Sequence, residues 1–231
     1  MAYDPPMSLL DPLRGIGLPA RCAACRAWGG SPLCEACAAG VYWIGADSCA
    51  KCGKPERAPV ARCGDCRGRD LAFDRARAAA SYEGPAREAL KTFKIGGERR
   101  TAAVFARWMV PAALSLGPAE CVTWVPSTRR SDAQRGFTPA EEIARPLGRR
   151  LSVPARSLLA KIRETGDQAS LGRAGRRANL DGAFTARGRI GGRILLVDDI
   201  MTTGSTADAC AVALKAAGAR RVLVVTFART P

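Results

Sequence analysis

Histidine is absent from the 231 residues. That absence excludes Ser-His-Asp and Cys-His nucleophilic chemistry, together with every histidine-ligated metal site. Long apolar runs are missing too: no stretch of about 18 or more apolar residues occurs, so no segment reads as a membrane span. The first twenty residues carry prolines and charges in place of an apolar signal core, and the expectation is a cytoplasmic protein with no membrane insertion. Acidic charge is in short supply, with 21 Asp and Glu against 36 Lys and Arg, for a formal net charge of +15. The imbalance is concentrated, since residues 127–193 hold fifteen basic side chains against six acidic ones. A field of that sign favours polyanions, whether a pyrophosphate group or a nucleic-acid backbone, and such binding weakens steeply with salt.

Cysteine, by contrast, is plentiful and patterned. Eight of the ten fall in four CxxC pairs: Cys22 with Cys25, Cys34 with Cys37, Cys49 with Cys52, and Cys63 with Cys66. Each pair can grip one metal ion through two thiolates on a tight knuckle, and two pairs complete a tetrahedral four-sulfur shell. Two zinc ions follow, with the first two pairs on one ion and the last two on the other as the arrangement that closes the shortest loops. Crossed pairing, disulfides and iron–sulfur ligation are the alternatives to this reading. A filled four-sulfur shell has no open position, so both zincs read as structural, holding together about 50 residues too poor in apolar side chains to fold alone. Cys121 and Cys210 stand apart and read as small packed hydrophobes.

The string LLVDDIMTTGST at residues 195–206 carries the most chemistry. Leu195, Leu196 and Val197 read as a short buried strand with Asp198 and Asp199 at its carboxyl end, where open α/β sheets place ligands. Thr202, Thr203, Gly204, Ser205 and Thr206 then turn into an alanine-rich helix. Amides at a helix start, with hydroxyls beside them and a glycine allowing close approach, suit a phosphate, while paired carboxylates suit ribose hydroxyls. The string resembles the phosphoribosyl pyrophosphate (PRPP) signature of type I phosphoribosyltransferases, in which the acids bind the ribose diol and the loop takes the 5-phosphate.

Around these motifs the pattern divides the chain into an irregular lead segment at 1–20, a double zinc ribbon at 21–70 and a phosphoribosyltransferase-like domain at 71–231. RARAAASY at 75–82 reads as a strand, and Pro85 to Ile95 as a helix. A second helix covers Glu98 to Leu116, kinked or ended early by Pro111. CVTWV forms a strand ending at Pro126, followed by PSTRR. Thr138 and Glu141 read as N-cap and third residue of a capped helix. Residues 155–182, with Lys161, Arg163, Arg173, Arg176 and Arg177, read as a mobile basic loop that could close over a pyrophosphate. RILLV, a helix from Ser205 to Ala217, a Gly218 C-cap and RVLVVTF complete a strand-helix-strand unit. The fold class expected is α/β, a mostly parallel sheet flanked by helices with the small amino-terminal ribbon module attached.

The order of four CxxC pairs, RAAASYEGPAREALKTFKIGGERR, RGF at 135–137, QASLGRAGRRANLDGAF and LLVDDIMTTGST resembles the ComF family across residues 22–229. The resemblance implies a zinc ribbon joined to a phosphoribosyltransferase-like domain, associated with DNA uptake during natural transformation. It implies Asp198 and Asp199 on the ribose hydroxyls, Thr202 through Thr206 on the 5-phosphate, and Ser127, Thr128, Arg129 and Arg130 as the pyrophosphate loop. The chain departs from the family in having Ser127-Thr128 where Leu-His is usual and Thr138-Pro139 where Asn-Gln is usual. Thr202 replaces the acid of purine-salvage relatives, which speaks against that substrate class. Two functions are implied: a PRPP-binding protein that handles incoming single-stranded DNA with other competence proteins, or an active transferase displacing pyrophosphate from magnesium-bound PRPP. Trp28, Tyr42 and Trp43 are the stacking candidates for DNA.

Overall fold

A computed structural model describes residues 21–29, 31–96, 99–163 and 180–231. In chain order these form α1 (Glu35–Ala39), β1 (Arg75–Ser81), α2 (Gly84–Gly96), α3 (Thr101–Ser115), β2 (Cys121–Trp124), α4 (Arg129–Arg135) and α5 (Pro139–Leu151). Then come β3 (Leu159–Lys161), β4 (Phe184–Ala186), β5 (Arg193–Met201), α6 (Ser205–Ala216) and β6 (Arg221–Arg229). Among the described residues, β1, β6, β5 and β2 lie side by side in that order as a parallel sheet. The short strands β3 and β4 pair antiparallel and pack against α6. The fold is thus α/β with a parallel sheet and flanking helices, and the cysteine groups lie ahead of it in the chain.

Alternation along β5 decides which layer each side chain joins. Leu195 and Val197 enter the core with α2, α3 and α5, where Phe93, Phe105, Met109, Ile143 and Leu147 are buried. Ile194 and Leu196 enter the opposite core with Cys210, Ala211 and Leu214 of α6. Both outer edges of the sheet are covered, which denies other chains a free template. Along β1, the amides of Ala76 and Ser81 donate to the carbonyls of Lys51 and Tyr42, at 2.8 and 2.9 Å, and the Ile44 amide donates to the Ala79 carbonyl at 2.9 Å. Along β2, the Val122 amide donates to the Pro154 carbonyl and the Arg156 amide to the Val122 carbonyl, each at 2.9 Å.

Three local expectations are corrected. Helix α3 runs through Pro111 to Ser115, because that proline lies on the exposed side of the last turns and forfeits a single amide donor. Thr138 stands at the N-cap of α5 without capping it; its hydroxyl donates to Asp132 Oδ2 at 2.8 Å, while Glu141 pairs with Arg145. The basic stretch 155–182 is not loop throughout, since its flanks supply β3 and the approach to β4. Arg173, Arg176 and Arg177 lie outside the described residues. No helix among the described residues is long and apolar enough to cross a membrane.

Candidate functional site

The parallel pairing of β2 with β5 brings two loops together at the carboxyl edge of the sheet. Trp124 is level with Val197, and the Val125 amide donates to the Val197 carbonyl at 3.0 Å, so the segments beginning at Pro126 and Asp198 emerge side by side. Strand β5 continues to Met201, which sets Asp198 and Asp199 inside its last residues, not beyond its end. Alternation then separates the two carboxylates.

Asp199 shares the face of Leu195 and Val197, where it is nearly buried and accepts a 2.8 Å ion pair from Lys94 of α2. Asp198 lies on the α6 side, half-buried, and one of its oxygens accepts from the Asp199 amide at 2.9 Å. Burial, reinforced by the adjacent charge of Asp199, pushes the Asp198 carboxyl up to about 8. Burial alone lowers Lys94, but the Asp199 charge and hydrogen bond, with Asp198 behind them, outweigh it and raise the ammonium above its ordinary range.

Gly204 is the N-cap of α6 and adopts φ 76, ψ 3, a left-handed conformation natural to glycine. The Thr203 and Ser205 hydroxyls meet at 2.9 Å over this turn. Thr203 and Thr206 are half-exposed, Thr202 is exposed and Ser205 is buried. Behind the loop, arginines take its carbonyls. Arg69 donates to the Thr203 carbonyl at 2.9 Å, and Arg229 donates to the Met201 carbonyl at 3.2 Å and to that of Thr202. In a trans peptide the carbonyl and the following N–H point in opposite directions. The amides of Thr202, Thr203 and Gly204 therefore face away from the arginines.

The neighbouring loop is part helix. Ser127 and Thr128 are half-buried, and Arg129 and Arg130 open α4, whose first turn is capped by Thr128 Oγ1 accepting from the Ser131 amide at 3.1 Å. The hydroxyl of Thr128 is thereby engaged, donating to Ser131 Oγ at 2.9 Å. A cleft of about 580 Å³ borders this loop, lined among others by Trp124, Ser127, Asp132, Lys161 and Arg187. Asp132 Oδ1 is enclosed there without a hydrogen-bond partner.

The eight CxxC sulfurs gather into two groups of four, Cys22, Cys25, Cys34 and Cys37, and Cys49, Cys52, Cys63 and Cys66, each within 4.8 Å. Sulfur–sulfur distances of 3.8 Å (Cys25 to Cys34), 4.0 Å (Cys49 to Cys66) and 3.6 Å (Cys52 to Cys63) match a tetrahedron whose zinc–sulfur bonds are about 2.3 Å. Backbone amides of Cys34 and Cys63 donate across each group to the sulfurs of Cys22 and Cys49, at 3.4 and 3.2 Å, a contact that favours the thiolate form. Both four-sulfur sites fit a structural zinc ion. Trp28 and Tyr42 are 64% exposed and Trp43 is 42% exposed, so the ribbon aromatics do not fill its core. Arg21 lies 3.9 Å over the Trp28 ring, and Trp43 meets Trp108 edge-on.

Lys94, Arg69, Arg229 and Asp132 went unnoticed in the sequence. Lys94 offered a faint signal, a cation just before a glycine pair within the family-like string; the other three sat among many arginines and acids with nothing local to mark them.

The double zinc ribbon domain matches residues 15–67, and the phosphoribosyl transferase domain matches residues 133–231. DNA utilization protein YhgH of Salmonella typhimurium is 28% identical over 229 residues, covering 93% of this chain and 99% of that protein. Its namesake in Escherichia coli is 28% identical over 226 residues with the same coverage. Competence protein F of Haemophilus influenzae is 26% identical over 192 residues, covering 78% of this chain and 84% of that protein. Among solved structures, the glutamine PRPP amidotransferase of B. subtilis aligns with 55% of this chain at 23% identity and a TM-score of 0.35, and the chain spans 25% of that enzyme. The chain thus joins a double zinc ribbon to a phosphoribosyl transferase domain and has relatives named for DNA utilization and competence, a make-up consistent with the ComF family.

Proposed function

We propose that this protein binds PRPP at the junction of β5 and α6 and uses that state to handle incoming single-stranded DNA in a competence-related process. One observation carries the reading. The turn at Gly204 presents amides on the side opposite Arg69 and Arg229, beside the hydroxyls of Thr203 and Ser205, and it follows on the strand whose last residues include Asp198 and Asp199. A 5-phosphate suits the turn, helped by the α6 dipole, and ribose hydroxyls suit Asp198 and Asp199. Ser127, Thr128, Arg129 and Arg130 border the place where a pyrophosphate would extend. Magnesium, when bound with PRPP, would supply positive charge against the pyrophosphate, with Asp198 and Asp199 as the acids that would hold the ribose beside it. Lys94 must exchange its hold on Asp199 for a ligand group when the diol arrives.

The DNA half of the reading is supported by the relatives' names, by the net charge of +15 and by the exposed Trp28 and Tyr42 on the ribbon. Calorimetry with magnesium and PRPP tests the small-molecule half. Wild type is expected to bind, and the double variant Asp198→Asn, Asp199→Asn to lose at least about tenfold in affinity, as loss of charged hydrogen bonds dictates. Equal affinity in both would remove the carboxylates from the site.

A second reading, transfer of the phosphoribosyl group, is favoured by the cleft of about 580 Å³ beside Ser127, which has room for an acceptor and is lined by Thr128, Glu141, Lys161 and Arg187 as well. Such an enzyme works by positioning and by stabilising the departing pyrophosphate. Pyrophosphate release that depends on an added small molecule separates it from a pure binder.

A further inference from the structure

Strand β6 ends on Arg229, the largest fully buried side chain among the described residues at 2% exposure. No carboxylate pairs with it among the described residues, an expensive arrangement for a guanidinium unless other acceptors converge on it. Two sets of acceptors do. Nη1 donates to the carbonyls of Met201, Thr202 and Thr230 at the phosphate loop, and Nη2 points at Cys52 Sγ of the second cysteine cluster at 3.8 Å. One planar fork therefore spans from a metal-ligand sulfur to the backbone that aims the loop amides.

We propose that Arg229 is a positioning residue that couples zinc loading of the second cluster to the phosphate loop, so that zinc at Cys49, Cys52, Cys63 and Cys66 and PRPP strengthen each other's binding. This rests on the PRPP reading of the β5–α6 turn. Zinc fixes the Cys52 sulfur in place and leaves it anionic, which holds Nη2 and hence the plane of the fork. With the plane held, Nη1 keeps the carbonyls of Met201 and Thr202 turned back, and the amides that follow them stay turned forward.

Two further contacts join the second cluster to the same few residues. Arg62 donates to the Arg69 carbonyl at 3.0 Å, and Arg69 in turn holds the Thr203 carbonyl. Lys51, inside the Cys49–Cys52 knuckle, donates to the carbonyls of Leu71 and Phe73, and the Phe73 ring packs against Gly204, 3.6 Å from where a Cβ would stand. The first cluster lies elsewhere. Cys22, Cys34 and Cys37 pack instead with the core of α2 and α3, on the other side of the sheet. The two four-sulfur sites thus differ in what they touch, and the second reaches the ligand loop.

Coupling of this kind is reciprocal. In the full chain, magnesium PRPP is expected to tighten zinc at the second cluster by about tenfold in competition with a chromophoric chelator, and removal of that zinc to weaken PRPP by the same factor. Arg229→Met with both ions bound is expected to bring the factor close to one. Cys25→Ser, in the first cluster, is expected to leave it intact. A wild-type factor of one, an unchanged factor in Arg229→Met, or equal loss of coupling in Cys25→Ser overturns the proposal. Amide exchange at residues 202–206, measured with and without zinc, needs no PRPP at all. Faster exchange on zinc removal in wild type, with no further gain in Arg229→Met, supports the coupling even if PRPP fails to bind, whereas unchanged exchange in wild type overturns it.

Discussion

Asp198 carries a cost that Asp199 avoids. Lys94 neutralises Asp199 at 2.8 Å, whereas burial and the neighbouring charge lift the Asp198 carboxyl to about 8. An unfolded aspartate ionises near 3.8, so between 3.8 and about 8 the folded chain keeps a proton that the unfolded chain has released. Stability attributable to this group falls as pH rises through that window and is level above it. Asp198→Asn removes the dependence. Its melting temperature should overtake that of wild type progressively from about pH 4 to about pH 8, a gain of several degrees at the upper end, while PRPP affinity drops. Melting curves offset by the same amount at every pH would show that Asp198 ionises freely. Asp198, Asp199 and the run from Thr202 to Thr206 could be singled out as candidates in the sequence because strand, acids and glycine turn are contiguous. Lys94 and Arg229 could not, since each takes its meaning from partners that only folding brings near.

At the scale of elements, two glycines mark a helix start and a knuckle for different reasons. Gly204 holds φ 76 at the start of α6, yet an added Cβ would find only ordinary contacts at 3.6 Å with Met201 and Phe73. Gly204→Ala should cost about 1–2 kcal/mol through backbone strain alone, read as a lower melting temperature and weaker PRPP binding. Gly53 has φ 68, and its added Cβ would lie 2.9 Å from the Arg77 Cα and 3.0 Å from the Ala76 carbonyl of β1. Neither atom can swing aside, so Gly53→Ala should destabilise by more than Gly204→Ala in the same melts. Most strands and helices followed from periodicity, as with RARAAASY for β1 and RVLVVTF for β6. Misreadings arose where a residue had two options. Pro111 could end a helix or ride on its wet face, and Thr138 could cap α5 or bond Asp132; packing chose the second each time.

For the whole molecule, the ribbon is a continuation of the sheet as much as an appendage. Its backbone pairs with β1 at Ala76, Ala79 and Ser81, and its second cluster lies in one core with Phe73, Leu196 and Leu214. The formal charge of +15, summed over the whole chain, gives the molecule a long-range pull on polyanions. Single-stranded DNA affinity should therefore fall steeply with salt. Trp28→Ala should weaken binding about tenfold without changing the salt slope, because a stacking surface is lost and no charge is removed. An unchanged affinity in a titration of labelled oligonucleotide would move the interface off the ribbon. The amino-acid sequence by itself determined two four-cysteine sites, an α/β core and a glycine turn into a helix just after paired acids, because each is written in contiguous residues whose spacing carries its geometry. Tertiary structure alone decided that Asp198 and Asp199 face different layers, that Lys94 neutralises only one of them, and that Arg229 reaches from Cys52 to the carbonyls of Met201 and Thr202. Those relations depend on strand alternation and on distant segments meeting around a shared core, and no local spacing encodes them.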